Sequence, residues 1–128
     1  MTENEVAAHI VDACYHVHSA LGPGLLESVY QATLAYELGK RGLSVVSQHG
    51  VPVVYEDVRL DLGFRLDLLA EDCVIVEIKS IDALADVHFK QVLTYLKLSD
   101  RRLGILVNFN VPSLEGNIRR IVNRLTDS

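Results

Sequence analysis

Glu77 and Lys79 sit two residues apart inside Val74–Ser80, a run of otherwise mainly β-branched residues. On a strand, side chains two apart share a face, so Glu77 and Lys79 point the same way as Ile75, while Val74, Val76 and Ile78 point into a core. Ions this close to a core are costly unless they are paired or bind something. The plain reading is a Glu–Lys pair on an exposed sheet face. A second carboxylate changes that reading. The preceding segment alternates, with Leu60, Leu62, Phe64, Leu66 and Leu68 on one face and Arg59, Asp61, Gly63, Arg65 and Asp67 on the other. A three-residue connection, Glu71-Asp72-Cys73, pairs Ala70 with Val74. It sets Asp67 opposite Glu77 and Arg65 opposite Lys79. A two-residue connection would set Asp67 opposite Val76 and mix charge into the core, so patterning selects the first register.

Two carboxylates side by side repel, and each makes the other hold its proton more tightly. A divalent cation removes that conflict, and Mg²⁺ or Mn²⁺ favours hard oxygen ligands while keeping water. Asp67, Glu77 and the backbone carbonyl of Ile78 would make such a site, with Glu27 adding a ligand directly or through water. Lys79, on the same face, would orient that water, help its deprotonation or stabilise charge developing on a phosphate. Gln91, with Tyr95 beside it, would position water or phosphate from the next helix. An acid followed by Glu-x-Lys occurs often by chance. Here it gains weight because the residues fall on adjacent expected strands, on one face, with a helix after the second.

The elements that must carry these groups follow from periodicity. Val6, Ile10, Ala13, Val17 and Leu21 predict a helix over residues 4–20. Gly22-Pro23-Gly24 breaks it. A second helix is expected over 25–40, with Tyr30, Leu34 and Leu38 inward and Glu27 on the same face. Glu27 is also the first-turn acid that a helix dipole favours. Strands are expected over 43–56, through 59–68 and over 74–80, then a helix over 84–98 and a buried strand over 103–109. A closing helix is expected from about Leu114 to Leu125. The order is ααβββαβα, and the strand–helix–strand unit from Val74 to Phe109 should be a right-handed parallel crossover. The fold class is α/β (α+β): a mixed four- to five-stranded sheet flanked by helices.

The 128 residues, 49% hydrophobic and 23% charged, suit a single domain over 1–128 and are too few for two ordinary ones. The net charge of −5 argues against strong non-specific binding to nucleic acid but leaves room for a local basic patch. Lys40-Arg41, Lys97 with Arg101-Arg102, and Arg119-Arg120 with Arg124 read as solvated helix ends. Cys14 and Cys73 are far apart and outside any CxxC, which excludes a disulfide framework or zinc site. The histidines have no HxxxH or HExxH spacing. No apolar run reaches a membrane span and the N-terminus is acidic, so a soluble, cytoplasmic protein is expected.

Asp67…Glu77-Ile78-Lys79 resembles the PD-(D/E)xK nuclease core. Gly24-Leu25-Leu26-Glu27-Ser28-Val29-Tyr30 is similar to the signature of the small bacterial GxxExxY proteins grouped with that superfamily. The likeness runs from about Ile10 to Leu125 and takes in Phe64–Leu69, Gln91 with Tyr95, and Leu103–Phe109. It departs from the nominal motif at Leu66, where Pro is usual. The resemblance implies a restriction-endonuclease-like αβββαβ core and Mg²⁺-dependent hydrolysis of phosphodiester bonds. Nucleic acid, DNA in the first instance, would be the substrate. Glu27, Asp67 and Glu77 would serve the metal, with Lys79 and Gln91 as accessory residues. Small nucleases often work as homodimers to reach both strands, although no interface stripe stands out here. The competing expectations are a catalytically inactive nuclease-fold module that binds a protein or nucleic-acid partner, and a hydrolase of small phosphoesters.

Overall fold

A computed structural model of the chain describes residues 1–126, apart from the side chain of Leu62, whose expected inward face lies outside the described residues. Helix α1 spans Glu3–Leu21 and α2 spans Glu27–Lys40. Strands β1 (Val45–Tyr55), β2 (Val58–Ala70) and β3 (Val74–Lys79) follow, then α3 (Asp86–Leu98), β4 (Leu103–Asn108) and β5 (Ile118–Val122). The strands form one mixed sheet in the order β1-β2-β3-β4-β5, with β3 and β4 parallel and every other neighbour antiparallel. The mixed sheet and its parallel crossover are as expected from the sequence.

The closing helix is not formed. Ile118–Val122 is instead an edge strand paired antiparallel with β4. Ile118 and Ile121 are three apart, a spacing that fits one face of a helix. On a strand the same spacing puts them on opposite faces, and here Ile118 packs against the core under α1 and α2 while Ile121 packs against the core under α3. A β4 edge left open beside so buried a strand favours pairing over helix formation.

The sheet separates two cores. Between it and α1/α2 lie Val6, Ile10, Val17, Tyr30, Leu34 and Leu38, against Val74, Val76 and Ile78. Leu21, expected on that stripe, is exposed at the end of α1. Between the sheet and α3 lie Leu66, Leu69, Ile75, Val92, Leu96 and Leu106. Gly104 permits this second contact, because a Cβ there would stand 2.9 Å from Val92 Cγ1. Buried Glu37 ties α2 to α1, with its carboxylate 3.4 Å from His16 Nε2, 3.7 Å from Lys40 Nζ and 4.0 Å from Arg41 Nε.

One face assignment changes. Leu68 belongs to the α1/α2 core but Leu66 to the α3 core, so β2 turns over at Asp67. Opposite this point β1 has Gln48 at φ +53°, a left-handed conformation that kinks the strand. Beyond the kink, β1 and β2 leave β3 and continue as a two-stranded arm. Phe64 in that arm stacks on Tyr95 of α3, ring centres 4.1 Å apart.

Candidate active site

The turnover of β2 at Asp67 creates the polar site. The ladder between β2 and β3 runs Ala70–Val74, Leu69–Ile75, Leu68–Val76. In the same register, the next position joins Asp67 to Glu77. There side chains take over from the backbone: the Asp67 N–H donates to Glu77 Oε1 (3.2 Å), and the Ile78 N–H donates to Asp67 Oδ2 (2.9 Å). Each carboxylate is thus held by the opposite strand, and the two lie together where the strands part. Ile78 joins the site through its N–H. Arg65, expected opposite Lys79, instead donates to the Gln48 carbonyl (3.2 Å) on β1.

Glu77 is only 4% exposed. Burial, then the neighbouring charge of Asp67, lifts its carboxyl to about 8, against the lowering effects of the Asp67 N–H and the Lys79 charge. The acid form also shares a side-chain hydrogen bond with Asp67, which raises it further. At neutral pH without metal, the Glu77 carboxyl therefore keeps its proton in the space it shares with Asp67. The same space offers hard oxygens to a divalent cation, and Mg²⁺ commonly binds through one or two carboxylates while retaining water. These residues fit such an ion.

Lys79 is half-buried, and its Nζ stands 3.5 Å from Gln91 Oε1, so α3 holds the ammonium beside the pair. Tyr95, one turn on, has its hydroxyl pKa raised, first by burial and then by the charges of Glu77 and Asp67. The sequence-predicted set Asp67, Glu77, Ile78, Lys79 and Gln91 therefore meets at one place.

Glu27 arrives differently. It is exposed, not inward, and accepts a hydrogen bond from the Ser80 N–H (3.2 Å) at the end of β3. Among the described residues, no three His, Cys, Asp or Glu gather as a metal-holding group, so Glu27 stands at the rim and not in the acid pair. Its position is built by Tyr30, whose hydroxyl donates to the Gly22 carbonyl (2.5 Å) and accepts from the Leu25 N–H (3.2 Å). The Tyr30 ring stacks on Phe109 at 4.5 Å. The Ser80 hydroxyl donates to the Leu25 carbonyl (2.5 Å), closing the loop onto β3.

Two supporting residues escaped the sequence reading. Ser80 links β3 to the start of α2. Asn108, fully buried and opposite Lys79, accepts from the Ile81 N–H (3.1 Å) and donates to the Ile81 carbonyl (3.0 Å). The signal for Asn108 was present: an amide closing the apolar run Leu103–Val107 must find partners when buried.

A mixed sheet with a parallel crossover, carrying two acids and a lysine where two strands diverge, defines a nuclease-type core. A family model for the PD-(D/E)XK nuclease superfamily matches residues 4–121, and the chain belongs to that superfamily. Its nucleases act on nucleic acid and generally use divalent metals. No curated protein matches the chain. No helix among the described residues is long and apolar enough to cross a membrane.

Proposed function

We propose that the chain forms one domain of the GxxExxY kind and is a nuclease that hydrolyses DNA with Mg²⁺ or Mn²⁺. The observation that carries this reading is the Asp67–Glu77 pair, with Glu77 buried and each carboxylate accepting a backbone N–H of the opposite strand. Asp67 and Glu77 would hold the ion, with the Ile78 peptide and Glu27 at its margins. When bound, the ion supplies Lewis-acid polarisation of the phosphate and lowers the pKa of water. The protein's own groups do the remaining work. Lys79, held by Gln91, places positive charge beside the phosphate, where negative charge grows as water attacks phosphorus and the P–O bond to the leaving alcohol breaks. Gln91 keeps that ammonium aimed and also hydrogen-bonds Tyr95, which fixes its amide in the site. Two copies acting together would present two such sites to the strands of a duplex.

The test is cleavage of single- and double-stranded DNA with Mg²⁺, Mn²⁺ or EDTA. Metal-dependent cleavage lost in both Glu77→Ala and Lys79→Ala is expected. Cleavage that persists in both variants overturns the assignment.

A second reading is a module of this fold that binds without cleaving. The position of Glu27 at the rim, outside the acid pair, favours it, because the pair then supplies only two carboxylates to an ion. Calorimetry separates the two: no heat with Mg²⁺ or Mn²⁺, together with no cleavage of any nucleic acid, supports the module.

A further inference from the structure

The arm built by β1 and β2 has an open edge. β2 pairs with β3 only through Leu68–Ala70, whereas it pairs with β1 out to Val58. Among the described residues, no backbone hydrogen bond engages the far side of β2 between Val58 and Leu66. Tyr55 and Val58 close a two-residue turn, so that pair is hydrogen-bonded and the next, Val54–Arg59, is not. The N–H and C=O of Arg59 therefore face away from β1, and Asp61 follows where the β1–β2 register shifts between Val51 and Val53. The arm is also apolar at its tip: Tyr55 is 66% exposed, Val54 64%, Val58 55% and Leu60 46%. An edge of this kind is a template for another strand.

The charges on the edge say which strand. Arg59 and Asp61 lie on one face and pair with each other at 2.9 Å, both largely exposed. Edges usually repel partners with charges of one sign. A cation and an anion two residues apart do the reverse toward an antiparallel copy. Centring the pairing on Leu60 sets Arg59 of each copy opposite Asp61 of the other, and Leu60 opposite Leu60. The same register brings the outward N–H and C=O of Arg59 against Asp61 of the other copy, with the two-fold axis at the Leu60 pair.

We propose that the chain self-associates through the outer half of β2, as an isologous antiparallel pair of arms centred on Leu60 with reciprocal Arg59–Asp61 contacts. A contact of a few residues on each side lies below the standard interface size, so the dimer is weak and concentration-dependent. Neither the acid pair nor Lys79 takes part, and the proposal stands independently of the nuclease reading.

Sedimentation velocity over a wide concentration range tests it. The wild-type chain should shift from monomer to dimer. Arg59→Asp should raise the dissociation constant by about tenfold or more, since like charges then face each other twice. The swap Arg59→Asp with Asp61→Arg should bring it back to within about threefold of wild type. Leu60→Cys should form a disulfide-linked dimer on mild oxidation, with the wild-type chain, whose Cys14 is buried and Cys73 half-buried, as control. These positions are exposed, and circular dichroism checks that each variant keeps its fold. A chain that stays monomeric throughout overturns the proposal, as does a dimer indifferent to Arg59→Asp or one that the swap does not restore.

Discussion

Replacing Glu77 by glutamine isolates the electrostatics of the acid pair. In the folded chain the Glu77 carboxyl titrates near 8, lifted mainly by burial and then by Asp67. In the unfolded chain it titrates near the ordinary glutamate value of about 4.3. Between those values the folded state holds a proton that the unfolded state has lost, so stability falls as pH rises. The contribution is complete below about pH 4.3 and gone above about pH 8, at about 1.4 kcal/mol per pH unit. From pH 6 to pH 9 the wild-type chain should therefore lose about 2.7 kcal/mol through this one group. The glutamine side chain of Glu77→Gln mimics the shape of the protonated acid and cannot ionise. The variant should lack that slope, and its advantage over wild type should grow with pH. Urea unfolding in EDTA, at half-unit steps of pH, measures the difference between the two chains and cancels titrations they share, such as the raised Cys73 group. Adding Mn²⁺ should stabilise only the wild-type chain, with a gain that rises toward pH 8 as the competing proton leaves. Parallel wild-type and variant curves would refute the claim that Glu77 keeps a proton at neutral pH.

Two further substitutions probe the rim. Glu27→Gln keeps an oxygen that can accept from the Ser80 N–H, so unfolding free energy should change by less than about 0.5 kcal/mol while DNA cleavage falls by about tenfold or more, read in a gel assay. Tyr30→Phe leaves the Gly22 carbonyl and the Leu25 N–H without their shared partner and should lower stability by about 1–3 kcal/mol in urea titration.

Much of this protein was legible in the chain because period-two and period-3.6 patterns report burial directly. The stripe Tyr30, Leu34, Leu38 and the strand Val74, Val76, Ile78 both face the α1/α2 core. The register that brings Asp67 to Glu77 was also readable, since a slip by one residue would have driven a carboxylate into that core. Three features were not readable. Ile118 and Ile121 satisfy a helix and a strand equally, and only the open edge of β4 decides for the strand. The turnover of β2 at Asp67 depends on a kink in another strand at Gln48. It leaves Leu66 and Leu68, identical in type and two apart, in different cores. Glu27 reaches the site by accepting from the Ser80 backbone, a partner that carries no side-chain signature in the sequence.

Glu77 and Lys79 began as an ion pair that an exposed strand face would explain. The sequence by itself determined that they share a face with Asp67, because alternation and register are local properties of strands. Only the tertiary structure decided that this face is closed. In the folded chain Glu77 is 4% exposed, and removal from water is what turns two neighbouring carboxylates into a proton-holding, cation-ready pair.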